Sequence, residues 1–339
     1  MHSRATRRDF LKQTATTGAG LWAAGQAFDL TSTGTADAKG LTVNQSTALP
    51  IVDTHQHLWD LTKFELPWTK GKEVSTLARS FVSQDYLAAI EGSNVVKSVY
   101  MEVDVTPSQQ SKEADYVIDI CQRGETPMVA AVISGRPNSA EFKDYITKYA
   151  ASKYIKGVRQ VLHSGDTPAG YCLDPKFVQG IKLLGELGLS FDLCMRAGEL
   201  LDGLKLVEQC PKTRFIVDHC GNMEVQNTDE ALRAKWKQGM RELAQRPQVV
   251  CKISGLIASA KPGAWKPEDL APNMNFSMDT FGPDRIMFGG DWPVCTLAAT
   301  YAQWVAALKT ITAKKSAAER KKLFHDNAVK FYGLGPAQQ

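Results

Sequence analysis

Eight short runs of β-branched and apolar residues recur along the 339-residue chain: "IVDTH", "VVKSVYMEV", "MVAAVIS", "YIKGVRQVL", "LSFDLCMR", "RFIVDH", "VVCKISGL" and "RIMFGGD". Their starts lie about 25 to 45 residues apart, the span of a strand, a helix and two loops. A polar or glycine-containing loop and a longer stretch of helical periodicity follow each run, so the repeated unit is βα and the sheet it builds is parallel. Eight such units within roughly 290 residues match an α/β fold of the closed (β/α)8 TIM barrel type, one domain over 51–335. An open doubly wound sheet would carry a glycine-rich phosphate loop after its first strand. That place holds "THQHLWD".

With 43% apolar residues the chain can bury a large core, and its net charge of +4 is spread out. No basic surface for nucleic acid is evident, which leaves a small-molecule substrate as the expected partner. Part of the positive charge lies in "TRRDFLKQTATTGAGLWAAGQAFDLTSTGTADAKG". This stretch resembles a twin-arginine export signal, with Arg7 and Arg8 as the pair and Ala36-Asp37-Ala38 as an A-x-A cleavage site. The expectation is a signal peptide over 1–38, a linker over 39–50, engagement of the twin-arginine export machinery and a periplasmic location. Its apolar stretch is too short and too rich in Gly and Thr for a stable membrane span. Seven scattered cysteines without a C-x-x-C pair form neither a disulfide framework nor a zinc ribbon. Buried thiols are the simplest reading, for Cys194 and Cys220 near the barrel mouth as well.

In such a barrel, catalytic groups stand at the carboxyl ends of the strands. The first strand ends in His55 and His57, the second in Glu102, the fourth in Arg159 followed by His163, and the fifth in Arg196. His219 ends the sixth, Lys252 and Ser254 the seventh, and Asp291 the eighth. A core built for stability alone has no need of polar residues collected at one end. Strand alternation places Asp53, His55 and His57 on one face, with Asp53 behind an imidazole. Lys252 reads as a strand cap. Trp59, Trp68 and Trp292, just beyond strand ends, serve either stacking on a ring-shaped substrate or packing. His325 reads as a surface histidine on a late helix, and His163 as a substrate-facing or hydrogen-bonded structural residue.

The motifs "DTHQHLWD", "KGVRQVL", "VDHCGN", "KISGL", "FGGDWPV" and "DNAVKFYG", in this order, resemble the amidohydrolase superfamily, in particular its sugar-lactone and 2-pyrone-4,6-dicarboxylate lactonase branch. The resemblance implies that His55, His57, His219 and Asp291 face the substrate and that Asp291 handles the proton. Many members hold zinc through the first-strand histidines, a fifth-strand histidine and the eighth-strand aspartate. Here the fifth strand offers Cys194 and Arg196, and Lys156 lies on the face opposite Arg159, so a two-metal site is not expected. A site with no cofactor and a site with one divalent ion, zinc foremost, on His55, His57 and Asp291 with or without His219, both remain open on ligand count.

The chemistry expected is lactone opening, with Asp291 as general base and the histidines polarising the carbonyl. Arg159, Arg196, Glu102, His163 and Trp292 would contact the substrate. A zinc-dependent decarboxylase, an amidase or deaminase on the same scaffold, and a non-catalytic exported sugar-binding protein are the alternatives.

Overall fold

The computed structural model describes residues 49–165 and 167–335. The expected signal peptide (1–38) and all but the last two residues of the linker (39–50) lie outside the described residues. Eight parallel strands form one sheet in chain order: β1 (Ile51–Gln56), β2 (Val95–Met101), β3 (Met128–Ser134), β4 (Ile155–Arg159), β5 (Ser190–Leu193), β6 (Arg214–Val217), β7 (Val249–Ile253) and β8 (Ile286–Phe288). Helices alternate with them: α1 (Ser83–Ala89), α2 (Gln110–Arg123), α3 (Phe142–Ala150), α4 (Pro175–Glu186), α5 (Leu200–Gln209), α6 (Glu230–Ala244), α7 (Pro267–Phe281) and α8 (Tyr301–Ile311). Two more, α9 (Ala317–Lys321) and α10 (Asn327–Tyr332), follow. The architecture is the expected (β/α)8 barrel.

The strands read as near-continuous apolar runs because both of their faces are buried. One face fills the barrel, where Val52, Val99, Met101, Val132, Ile216 and Met287 pack together and Tyr332 of α10 joins them. The other, including Ile51, Tyr100, Ile133, Phe191 and Phe288, packs with the helices. Helix boundaries follow local chemistry. The Asp174 carboxylate accepts the backbone N–H groups of Lys176 and Phe177 ahead of Pro175, starting α4. Gly124, at φ 65°, ends α2 in the left-handed conformation that costs glycine least.

The seam between β8 and β1 is closed at the mouth of the barrel. Asp291 N–H donates to His55 O at 2.6 Å and His57 N–H to Trp292 O at 2.7 Å. Thr54 Oγ1 donates to Phe288 O at 2.6 Å. Asp53 collects four donors: Gly290 N–H at 2.7 Å, His55 N–H at 3.0 Å, and the hydroxyls of Tyr86 at 2.9 Å and Tyr301 at 3.1 Å. A Cβ on Gly290 would fall 2.5 Å from Asp53 Oδ2, so the glycine is what lets the two strands meet this closely.

Asp53 thus reaches α1 and α8 and does not stand behind an imidazole, which corrects the alternation argument. β1 pairs Asp53 with Ser98 but Gln56 with Tyr100, three steps against two. This bulge rotates the chain after Asp53, so His55 turns into the barrel although Val52, three residues earlier, also faces inward.

Replacing Asp53 with Ala leaves two buried backbone N–H groups without acceptors. At about 1–3 kcal/mol for each, urea unfolding should show a loss of roughly 2–5 kcal/mol, against about 1 kcal/mol for Tyr301→Phe. Equal effects of the two variants would show that Asp53 does not organise the seam. Glu113 of α2 is buried and accepts the Tyr100 hydroxyl at 3.0 Å and Val103 N–H at 2.9 Å. Burial, then the charge of Glu102, push its carboxyl up to about 8 from 4.5. Between those pH values the folded state keeps a proton that the unfolded state has released, so this group's contribution to stability falls as pH rises. The melting temperature of Glu113→Gln relative to the parent should therefore climb from pH 4.5 to pH 8 and then level off; a difference that does not change with pH refutes the assignment.

Candidate active site

Three imidazoles and one carboxylate, at or just beyond the carboxyl ends of β1, β6 and β8, converge at the mouth. Asp291 Oδ1 lies 3.3 Å from His57 Nε2 and 3.6 Å from His55 Nε2. The His55 and His219 ring centroids are 4.4 Å apart, those of His55 and His57 5.0 Å. His219 and Asp291 both adopt φ 52°, a left-handed conformation unusual for either residue. Strand ends that turn this sharply aim side chains across the mouth instead of along the strand, and the local cost is borne by the surrounding packing. Gly255, φ +68°, is part of that packing, since a Cβ there would fall 2.2 Å from His219 Nδ1.

The proton positions follow from the partners. His57 Nδ1 faces the carbonyls of Met101 and Glu102 at 2.9 and 3.1 Å, which only accept, so Nδ1 donates. Its Nε2 is then turned on the Asp291 carboxylate. His55 Nε2 lies 3.2 Å from Arg159 Nη1, which only donates. His55 therefore carries its hydrogen on Nδ1, 3.5 Å from Asp218 Oδ1. Burial, above all, lowers the pKa of His55 well below the usual imidazole value, consistent with a neutral ring. His219 is lowered for the same reason, and its Nδ1 pairs with Ser254 Oγ at 2.9 Å. Burial alone would raise Asp291, but the positive charge that His219, His55 or His57 carries when protonated, with a hydrogen bond from His57, outweighs it and holds the carboxyl below its ordinary range.

Beneath the rings lies a buried ion network. Arg159 Nε donates to Glu102 Oε1 at 2.6 Å and Nη2 to Glu102 O at 2.7 Å, while Nη1 also lies 3.6 Å from Asp218 Oδ2. Lys252, fully buried, pairs with Asp192 and lies 3.4 Å from Asp218 Oδ1. Glu102, Asp192 and Asp218 thus share Arg159 and Lys252, and with Asp291 beside the imidazoles the buried group holds four carboxylates and two permanent cations. Fully ionised, this group is short of two positive charges, and a low-dielectric interior does not leave such an imbalance uncompensated. Burial accordingly raises Asp192 to about 7 against the pull of Lys252.

One divalent cation fits this donor set. Single atoms of His55, His219 and Asp291 lie within 4.8 Å of one another, and His57 Nε2 approaches the same Asp291 oxygen. A lone pair aimed at a carboxylate oxygen needs a proton or a cation between them. Arg159 donates into the His55 Nε2 lone pair, so an ion taking that atom displaces the hydrogen bond. A second grouping, Cys194, Asp218 and His219, shares His219 with the first, and Cys194 Sγ stands 3.9 Å from Arg159 Nη1. The set is one for a single ion.

The structure brings together His55, His57, His219 and Asp291 as expected, and gives other residues different tasks. Arg159 and Glu102 are buried and engaged with each other, so they frame the site and offer no fork to the substrate. Arg196 holds the loop after β4, donating to Ser164 O and Thr167 O at 3.0 Å each, and pairs with Glu199 at 2.8 Å. Trp292 packs on Phe81 and Tyr86, and Trp59 on Trp68 and Phe81, which decides for packing. His163 lies half-buried on the loop after β4. His325 pairs with its neighbour Asp326 at 2.8 Å on the late helices. Lys252 is no strand cap but the centre of the network. Asp192 and Asp218 escaped the sequence reading; a lone carboxylate within each of the runs "SFDLC" and "FIVDH" was the available signal. All seven cysteines are free and buried.

Comparison with known proteins agrees with this geometry. The amidohydrolase family model matches residues 52–334. Uncharacterized protein y4mH of Sinorhizobium fredii is 30% identical over 84% of this chain and 98% of its own length. An L-fucono-1,5-lactonase of Burkholderia multivorans is 28% identical over 84% and 96%. A zinc-bound amidohydrolase crystal structure, also from Burkholderia multivorans, superposes with a TM-score of 0.75 at 25% identity, covering 84% of this chain and all of the other.

Gly255→Ala tests the packing behind His219. The variant should fold, because the clash is local, and lose at least about tenfold in turnover as the imidazole is displaced; unchanged kinetics would separate His219 from the reaction.

Proposed function

This chain belongs to the amidohydrolase family and is a hydrolase, and from that premise we propose that it opens the ring ester of a lactone, of a sugar acid or of a carboxylated ring. The observation that carries the reading is a carboxylate, Asp291, that stays ionised while three imidazoles converge on it. Ester hydrolysis needs a group that takes a proton from water and gives it back to the leaving alkoxide, and a carboxylate at the mouth of a buried site can do both. The lactonase among the relatives supports the substrate class, and the fifth strand's Cys194, in place of a histidine, speaks against the decarboxylase alternative.

In the proposed sequence, water adds to the lactone carbonyl as its proton passes to Asp291. The tetrahedral adduct collapses with cleavage of the bond to the ring oxygen. That oxygen takes the proton from Asp291, leaving an open-chain hydroxy acid. His57, fixed by the Met101 and Glu102 carbonyls, sets its Nε2 3.3 Å from the Asp291 carboxylate, where a proton held between them ties the two together. Arg159 brings positive charge to the His55 edge of the site, where negative charge develops on the carbonyl oxygen. A divalent ion, zinc in the first instance, held by His55, His219 and Asp291, supplies Lewis acidity toward water and carbonyl when bound.

Export to the periplasm through the twin-arginine machinery is part of the proposal, supported by Arg7, Arg8 and the A-x-A site at Ala36 to Ala38. Among the described residues no helix is long and apolar enough to cross a membrane.

Asp291→Asn is the decisive variant. Acid release from a panel of sugar-acid lactones, followed with a pH indicator, should fall by about 10²–10⁴ while circular dichroism stays that of the parent. Parental turnover in this variant ends the assignment of the base, and carbon dioxide release without lactone opening by the parent ends the substrate class.

A further inference from the structure

The reacting groups stand at the carboxyl ends of the strands; the opposite end of the barrel holds a cavity of about 350 Å³. It lies between the starts of β4, β5 and β6 and the end of α10. Lys153, Lys156, Arg214 and Lys330 line it, and no carboxylate does. Arg214 is held rigidly: Nη2 donates to Gly188 O at 3.0 Å, Nη1 donates to Phe331 O, and the guanidinium carbon lies 4.8 Å from the Phe331 ring centroid. Those carbonyls belong to the ends of α4 and α10, where a cation complements the helix dipole. Helix capping therefore accounts for Arg214.

It does not account for Lys156. Among the described residues no hydrogen bond or ion pair engages its ammonium group, and burial, followed by the charge of Arg214, lowers its pKa. Among the described residues Lys330 makes no ion pair; it acts on the Asp284 carboxylate only at longer range, and Lys322 holds that carboxylate at 2.6 Å. Cations that share a partly desolvated cavity whose lining holds no carboxylate raise each other's energy, and an anion among them removes that cost. We propose that this basal cavity binds a compact oxyanion, the phosphate or carboxylate group of a small molecule, between Lys156 and the fixed Arg214 guanidinium, with Lys330 adding charge. The Arg214 guanidinium, already oriented by the two carbonyls, offers its charge and the N–H groups those carbonyls leave free, and loses little freedom on binding such a group. The site is independent of the lactonase reading, because none of these residues reaches the mouth.

The test uses the full chain, with inorganic phosphate and a linear aldonate as probes and chloride at matched ionic strength as reference. Calorimetric titration and thermal unfolding should show saturable binding and a stabilisation that grows with the logarithm of anion concentration. Phosphate binding alone identifies a tetrahedral dianion as the ligand, and equal binding of the aldonate identifies the carboxylate. Lys156→Met should weaken binding by about tenfold or more, or roughly 1.4 kcal/mol, and leave turnover without added anion unchanged. Lys330→Met, expected to weaken it less, serves if the first variant folds poorly. No saturable effect beyond chloride with either probe, or parental affinity in Lys156→Met, overturns the proposal and leaves these cations to the helix ends alone.

Discussion

The barrel depends on how its last strand meets its first. β8 has three residues, too few for an extended ladder, and closure is shared between two backbone hydrogen bonds just beyond it and side chains of β1. Asp53 gathers two backbone amides and two tyrosine hydroxyls, so that β1, β8, α1 and α8 are fixed by one carboxylate. Burial nevertheless raises its pKa to about 6. Desolvation of the carboxylate is thus only partly offset by its hydrogen bonds, and the geometry it imposes is what the fold gains. The bulge that follows Asp53 sends it outward and His55 inward. Closure of the barrel and delivery of the reacting imidazoles are therefore one structural event.

Beneath the mouth, polar groups outnumber what stability alone would select. Breaking a buried pair costs more than the pair itself contributes, because the remaining charge has no partner. Arg159 is the clearest case: it touches Glu102, Asp218 and His55, and thereby fixes which His55 nitrogen keeps its hydrogen. Lys252 does the same for Asp192 and Asp218 from below. The result is a pocket with surplus negative charge, suited to hold a cation or a transferable proton.

The two ends of the barrel differ in charge for a topological reason. In a (β/α)8 barrel the helices run back against the strands, so their carboxyl ends gather at the base. Cations such as Arg214 collect there to meet the helix carbonyls. The mouth, where strands end and loops begin, is where residues can take left-handed conformations such as those of His219 and Asp291. The chemistry sits where the backbone is least constrained by the ladder.

Sequence alone determined the eight βα units, the single domain and the convergence of His55, His57, His219 and Asp291, because apolar runs and strand ends are local properties that spacing records. The rest required tertiary structure. Asp53 looked like a partner of the imidazoles, and only the pairing of β1 with β2 revealed the bulge that turns it away. Arg159 and Glu102 looked available to a substrate, until the barrel brought them to 2.6 Å. Asp192, Asp218 and Lys252 drew little notice in the chain, yet they meet inside it across three strands. Desolvation and ion pairing depend on atoms that closure brings together, and no window of sequence contains both partners.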